Sequence, residues 1–232
     1  MGVRLDMKVF VLSLDSDTTR LNDFRNGYPS SLALPSVWRA KPPEECSQPD
    51  WWNGSKEFWS NTENVCDVLS FAKEQTENVL FFEDDCIFAE DFKSQWETFM
   101  NEVPKDYDLI NLCTLHMCSM AYPPIQVSEN VLRAKLGFNT NALIITPNGA
   151  SRMLEQIQKP NWPCRHVCEQ QLGYLYLSSD FKAYSPLQNF IGQRACYSTL
   201  CKRDRGERWY NKFIYLDMNG KMHKSEGRYE KE

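Results

Sequence analysis

Four apolar residues, Val79 to Phe82, run directly into three consecutive acids, Glu83, Asp84 and Asp85. A short apolar run of this kind is typical of a strand buried in a parallel sheet that is covered on both faces. Ligands of open α/β sheets bind outside the carboxyl ends of the strands, where these acids fall. Three carboxylates at such a place repel one another and lose hydration unless a cation offsets them, and carboxylate oxygens suit Mg²⁺ or Mn²⁺. The alternative interpretation is an exposed acidic turn after a strand.

Segments typical of strands and helices alternate along the chain. Strands are predicted at residues 8–14, 79–82, 108–112 and 141–145, and helices at 60–77, 89–103 and 147–154. This alternation predicts an α/β fold with a mostly parallel sheet and helices on both faces. We expect one domain over residues 1–217, followed by a charged, poorly ordered tail over residues 218–232.

Composition narrows the class of protein. The formal net charge of the 232 residues is −5, which argues against general nucleic-acid binding because phosphate contacts need a basic surface. No apolar run is long enough for a transmembrane helix. The nine cysteines lack metal-ligand spacing, so we expect free thiols and a cytoplasmic location, the host cytoplasm for a viral protein.

Residues 28–54 are dense in proline and tryptophan and predict a long irregular loop, which in a compact domain is usually functional. Trp51 and Trp52 at its end are candidates for acceptor binding, since an aromatic ring offers an apolar platform to a sugar face. The alternative is that both rings anchor the loop to the core.

Four segments, in order, resemble glycosyltransferase family 25, which includes lipooligosaccharide and collagen galactosyltransferases. They are residues 9–15 with Arg20, residues 79–85, residues 139–154, and Pro186-Leu187 with Gln193. The resemblance implies a GT-A-like fold and a metal-dependent transfer of a hexose from a nucleotide sugar, with a UDP-hexose as the first donor to test. The acceptor would be a hydroxyl of a saccharide, a protein or a modified base, and the reaction an inverting displacement.

The resemblance also implies roles for particular residues. The tip of the first strand would hold the donor nucleotide, and Glu83 and Asp84 would also contact the donor. Asp85 would bind Mn²⁺ or Mg²⁺ directly, with Glu83 as a ribose or water-mediated metal contact. His223 would be a third metal ligand, unless it is a solvated histidine of the tail. The donor-binding residues at the strand tip are Ser13, Leu14, Asp15 and Arg20.

An inverting displacement needs a base that takes the proton of the acceptor hydroxyl. Glu169 resembles the acidic helix start that supplies this base in many GT-A enzymes, and Asp180 is the second candidate. The alternative for Glu169 is an ordinary exposed glutamate of a helix.

Three other functions remain open. One is a virus-type glycosyltransferase acting on a modified DNA base, and another is an inactive carbohydrate-binding protein on the same fold. The third is a nucleotidyltransferase, which also places paired acids at strand ends. Such enzymes usually carry a glycine-rich loop after the first strand, and residues 13–20 contain no glycine.

Overall fold

The computed structural model describes residues 7–116, 121–159, 168–198, 202–208, 214–216, 222–224 and 230–231. The helices are α1 (Thr18–Gly27), α2 (Lys56–Lys73), α3 (Phe92–Glu102), α4 (Pro147–Ile157) and α5 (Cys168–Leu175), with a short 3₁₀ helix at Pro43–Glu45. The strands are β1 (Met7–Ser13), β2 (Ser36–Arg39), β3 (Asn78–Glu83), β4 (Cys86–Phe88), β5 (Leu109–Asn111), β6 (Leu115–His116), β7 (Ile125–Gln126), β8 (Val131–Arg133), β9 (Gly137–Phe138), β10 (Ala142–Ile145), β11 (Ala183–Pro186), β12 (Ile191–Gln193), β13 (Cys196–Ser198), β14 (Arg203–Arg205), β15 (Ile214–Leu216), β16 (Met222–Lys224) and β17 (Glu230–Lys231).

The main sheet has nine of the described strands in the order β17-β7-β8-β11-β5-β10-β3-β1-β2. Strand β1 is parallel to β2 and β3, whereas β10 runs antiparallel to both of its neighbours, β3 and β5. Strand β8 is likewise antiparallel to β11 and β7. The other strands share one direction, which confirms the predicted mostly parallel α/β sheet.

Strand β3 is covered on both faces. Because side chains alternate along a strand, Val79 and Phe81 enter one core cluster and Leu80 and Phe82 enter the other. Helices α2, α4 and α5 contribute buried residues to the first cluster, and α1 and α3 contribute to the second. The prediction of helices on both faces is therefore confirmed.

Helix α4 begins as its sequence predicts. The Thr146 hydroxyl accepts a hydrogen bond from the Gly149 backbone N–H at 2.9 Å, and Pro147 occupies the first helical position. A Cβ at Gly149 would lie 2.0 Å from the Asp108 carbonyl oxygen. The glycine is thus required by the close approach of α4 to the start of β5.

The proline-rich stretch is more regular than predicted. It contains β2, which forms one edge of the main sheet beside β1. Two other strands, β16 and β17, lie within the predicted tail, and β17 pairs with β7 of the main sheet. The domain boundary at residue 217 stays a prediction. None of the described helices has the length and apolar character needed to cross a membrane.

Candidate functional site

A cleft of about 340 Å³ opens at the carboxyl ends of β1, β2 and β3. In an α/β sheet this is the edge at which ligands bind. The cleft is lined by most of the residues predicted to bind donor or metal, namely Ser13, Leu14, Arg20, Glu83, Asp84 and Asp85. Residues far apart in sequence meet here because β1 and β3 are adjacent and parallel.

Asp84 lies at the bottom of this cleft and is 5% exposed. Its Oδ2 accepts a hydrogen bond from the Ser13 hydroxyl at 2.7 Å, and its Oδ1 lies 2.5 Å from Nη2 of Arg20. Burial raises the pKa of Asp84 to about 6, although Arg20 and Ser13 both act to lower it. The carboxyl is therefore held by two partners in a poorly hydrated position.

Asp85 is equally buried and is fixed by two amides. Asn141 donates to its Oδ1 at 2.5 Å, and Gln193 donates to its Oδ2 at 2.8 Å. Nη2 of Arg20 lies 3.4 Å from the same Oδ2. A carboxylate offers about four lone-pair sites, so these amides orient Asp85 without exhausting it as an acceptor.

Glu83, the last residue of β3, is half-buried and accepts a hydrogen bond from the Thr140 hydroxyl at 2.9 Å. Strand β3 ends at Glu83, and the next two residues form a turn. The turn brings all three carboxylates to the cleft.

Sequence reasoning assigned no role to Asn141, Thr140 or Gln193. Each contacts an acid of the triplet from another part of the chain, across 56 residues for Asn141 and 108 for Gln193. The available signals were the polar run just before β10 and the presence of Gln193 in a segment that resembles family 25. Neither signal indicated which acid the side chain would contact.

Arg20 projects from the first turn of α1, whose N-cap is Asp17. Besides its contacts with Asp84 and Asp85, its Nε lies 3.6 Å from a carboxylate oxygen of Asp17. That Nε is buried and has no hydrogen-bond partner among the described residues. A buried donor of this kind on the wall of a cleft suits an anionic oxygen of a ligand.

The opposite wall of the cleft comes from α2 and the hairpin β13–β14. Glu57 in the first turn of α2 pairs with Lys202 of the hairpin at 2.6 Å. Hydrogen bonding to Lys202 lowers the pKa of Glu57 to about 2. This ion pair joins the hairpin, which contributes Ser198 and Arg205 to the lining, to the body of the protein.

The lining of the cleft is acidic. It contains twice as many carboxylates as basic side chains. The carboxylates are those of Asp17, Glu44, Glu57, Glu83, Asp84 and Asp85, and the basic side chains are those of Arg20, Lys41 and Arg205. Lys41 is itself paired with Glu63 and Asp67. An anionic ligand would need a further cation to bind here.

The donor set fits one kind of divalent cation site. The described residues contain no group of three or more His, Cys, Asp or Glu side chains able to hold a metal. Magnesium, however, is usually bound by one or two carboxylates together with substrate phosphates and water. Glu83 and Asp85 in an acidic cleft fit a cation that is bound with a diphosphate, and the prediction of Mn²⁺ or Mg²⁺ stays a prediction.

Other predicted site residues lie elsewhere. Asp15 does not line the cleft but pairs with Arg39 at 2.6 Å on the surface. Asp180 pairs with Arg152 before the start of β11, at the amino ends of the parallel strands. This is the sheet edge opposite the cleft, and the role of Asp180 as second candidate base stays a prediction.

The two tryptophans pack on each other and on Trp59 in edge-to-face contacts with ring centroids 5.2–6.1 Å apart. Trp52 is buried, and neither it nor Trp51 lines the cleft. The contacts favour the alternative role, an anchor of the loop to α2. Acceptor binding by Trp51 and Trp52 stays a prediction.

Two predicted residues have side chains outside the described part of the chain. Glu169 lies near the start of α5, and His223 lies within β16. The helix that carries Glu169 packs against β9, where a Cβ at Gly173 would lie 2.2 Å from the Phe138 ring. The roles of both residues stay predictions.

No protein-family model matches the chain, and no curated protein matches it. Among solved structures, it is similar to the glycosyltransferase GlyE of Streptococcus pneumoniae TIGR4, with 12% identity and a TM-score of 0.43 over 77% of this chain and 45% of that chain. The apo form of GlyE gives 11% identity and a TM-score of 0.42 over 76% and 44% of the two chains. The protein A197 from STIV gives 11% identity and a TM-score of 0.38 over 97% of this chain and 96% of that chain.

The chain thus spans less than half the length of the GlyE chains that it matches. Similarities this low carry no argument about activity. The α/β fold is established by the described strands and helices themselves.

Proposed function

We propose that this protein is a glycosyltransferase that moves a hexose from a nucleotide-sugar donor to a hydroxyl acceptor. The observation that carries the proposal is the cleft at the carboxyl ends of β1 and β3, where Ser13 and Arg20 meet the acidic triplet. These residues belong to two of the four segments that resemble family 25, and the fold brings them together.

The cleft suits the diphosphate of such a donor. The buried Nε of Arg20 offers a hydrogen-bond donor to a phosphate oxygen, and a guanidinium binds phosphate in a planar, directional manner. The acidic lining requires an additional cation, which Glu83 and Asp85 would hold. A bound Mn²⁺ or Mg²⁺ would supply charge stabilisation of the diphosphate leaving group.

The chain's own residues have two tasks in the inverting displacement. Arg20 orients the diphosphate, and a carboxylate takes the proton of the acceptor hydroxyl as the new glycosidic bond forms and the bond to the diphosphate breaks. Glu169 is our candidate for this base.

The test is a panel of nucleotide sugars incubated with the protein and Mn²⁺, with release of nucleoside diphosphate as the readout. We expect release from at least one donor, UDP-hexoses being the first to test, and a rate at least about a hundredfold lower for Asp85→Ala. Asp50→Ala, which removes an exposed aspartate, is the matched control and should leave the rate unchanged.

Other outcomes identify the alternatives. Binding of a sugar without release from any donor would overturn the transferase and favour an inactive carbohydrate-binding protein. Transfer to hydroxymethylated DNA but to no saccharide or protein would assign the acceptor to a modified base. An unchanged rate in Asp85→Ala would overturn the assignment of the cleft as the donor site.

A further inference from the structure

We propose that Arg20 is the resident counter-ion of Asp84 and Asp85, and that the cleft consequently takes up a divalent cation only together with a nucleoside diphosphate. The proposal rests on the proposed function for the identity of the diphosphate ligand. The role of Arg20 as counter-ion concerns residues of this chain alone, and it is tested by measuring Mn²⁺ binding without turnover.

Asp84 and Asp85 are two neighbouring acidic side chains that are both buried. Asp84 and Asp85 are each 5% exposed, and neighbouring carboxylates so poorly hydrated are costly unless a positive charge lies beside them. Arg20 supplies that charge, because one nitrogen, Nη2, lies 2.5 Å from Asp84 and 3.4 Å from Asp85. A guanidinium therefore already lies beside both carboxylates and balances their charge.

The cleft offers few unoccupied ligands to a lone metal ion. The oxygens of Asp85 accept hydrogen bonds from Asn141 and Gln193, and Oδ2 of Asp84 accepts one from Ser13. No group of three metal-binding side chains occurs within the part of the chain that the structure describes. A free cation would have to compete with Arg20 for acceptors that are partly occupied, and would lack a full set of protein ligands.

A diphosphate would change both the supply of ligands for the metal ion and the hydrogen bonding of Arg20. Its oxygens supply the ligands that the protein lacks. They also offer an acceptor to the buried Nε of Arg20, which lacks a hydrogen-bond partner among the described residues. The fork of a guanidinium can contact a carboxylate with one nitrogen and a phosphate with another. Arg20 would then connect the carboxylate pair to the diphosphate when the cation enters.

The experiment measures Mn²⁺ binding by calorimetry and by loss of the electron paramagnetic resonance signal of free Mn²⁺, with and without UDP. For the wild-type protein we expect no saturable binding of Mn²⁺ alone at millimolar concentration, and saturable binding when UDP is present. In Arg20→Met, which removes the charge and keeps the length of the side chain, we expect Mn²⁺ alone to bind about tenfold or more tighter than to the wild type.

Two controls isolate the charge of Arg20. Arg25→Met removes an exposed arginine of the same helix and should behave as the wild type. Arg20→Lys retains the charge without the fork, so it should still exclude Mn²⁺ alone but bind Mn²⁺ with UDP more weakly.

The proposal is overturned if the wild type binds Mn²⁺ equally well with and without UDP, if it binds no Mn²⁺ in the presence of UDP, or if folded Arg20→Met excludes Mn²⁺ as the wild type does. Should Arg20→Met fail to fold, the two wild-type titrations and Arg20→Lys decide. A protein that binds Mn²⁺ and UDP together but releases nucleoside diphosphate from no donor would support this inference while the proposed function fails.

Discussion

The side-chain amide of Asn141 donates a hydrogen bond to Oδ1 of Asp85 at 2.5 Å, and both residues are almost completely buried. Asn141 directly precedes β10, the strand that pairs with β3, so the hydrogen bond fixes the acidic turn to the neighbouring strand. Asp85 thus depends for its orientation on the pairing of these two strands.

We expect Asn141→Ala to lower the free energy of unfolding by about 1–3 kcal/mol, because a buried carboxylate loses a hydrogen-bond donor. Urea unfolding followed by circular dichroism measures the change. Asn53→Ala, at an exposed position, should stay within about 0.5 kcal/mol of the wild type. Equal stability of the two variants would contradict the role given to Asn141.

Gly149→Ala should destabilise the protein by about 1–3 kcal/mol or more, the range found for overpacking. The added Cβ would meet the Asp108 carbonyl, a backbone atom that cannot rotate away. Gly27→Ala at the end of α1 is the matched control, since nothing lies within 4 Å of a Cβ there, and it should be neutral or slightly stabilising. Thermal unfolding of the wild type and both variants measures the change in stability. If Gly149→Ala were as stable as the wild type, the close approach of α4 to Asp108 would not require a glycine.

Asp84 should make folding stability decrease as the pH rises from about 4 to about 6. Its pKa is raised from 3.8 to about 6 by burial, so the folded state binds the proton more tightly than the unfolded state, and stability falls as that proton is lost. The full effect is up to about 3 kcal/mol, at about 1.4 kcal/mol per pKa unit. Asp84→Asn should remove this part of the pH dependence, which is measured as the free energy of unfolding of the wild type and the variant at several pH values in that range. If the two free energies change with pH in the same way, the assignment to Asp84 is refuted.

Lys202→Gln should raise the pKa of the Glu57 carboxyl from about 2 toward its ordinary value of 4.5, because the hydrogen bond from Lys202 is the main cause of the lowered pKa. A lowered carboxyl pKa stabilises the fold above the ordinary value, and that contribution is lost as the pH falls toward about 2. Carbon-detected NMR titration of Glu57 reports the change directly. Lys56→Gln, which changes an exposed residue next to Glu57 in sequence, should leave the pKa of Glu57 unchanged. If it raises that pKa as much as Lys202→Gln does, the ion pair with Lys202 is not the cause of the lowered pKa.

Much of the fold could be predicted because burial leaves a local pattern. The apolar run before Glu83 predicted β3, and the helix predicted at residues 147–154 begins where α4 begins, since both depend on nearest neighbours in the chain. Strand β2 was missed because it is an edge strand with mostly exposed residues, so its sequence lacks the apolar pattern of a buried strand.

The set of residues that form the site was harder to predict from the sequence than the fold. Periodicity does not encode the direction of a strand, so the antiparallel β10 was not predicted, nor was the contact of Asn141 with Asp85. The place of Asp180 relative to the cleft could not be predicted for a related reason. Its distance from the cleft depends on which end of β11 it precedes, and only the assembled sheet decides that.

The position of β10 also has a consequence for folding during synthesis. It pairs with β3 on one side and β5 on the other, although both of those strands precede it in the chain. A nascent chain that has not yet reached residue 142 has both strands but lacks the one that joins them, which leaves backbone N–H and C=O groups along one edge of β3 and one edge of β5 open to pairing with other chains.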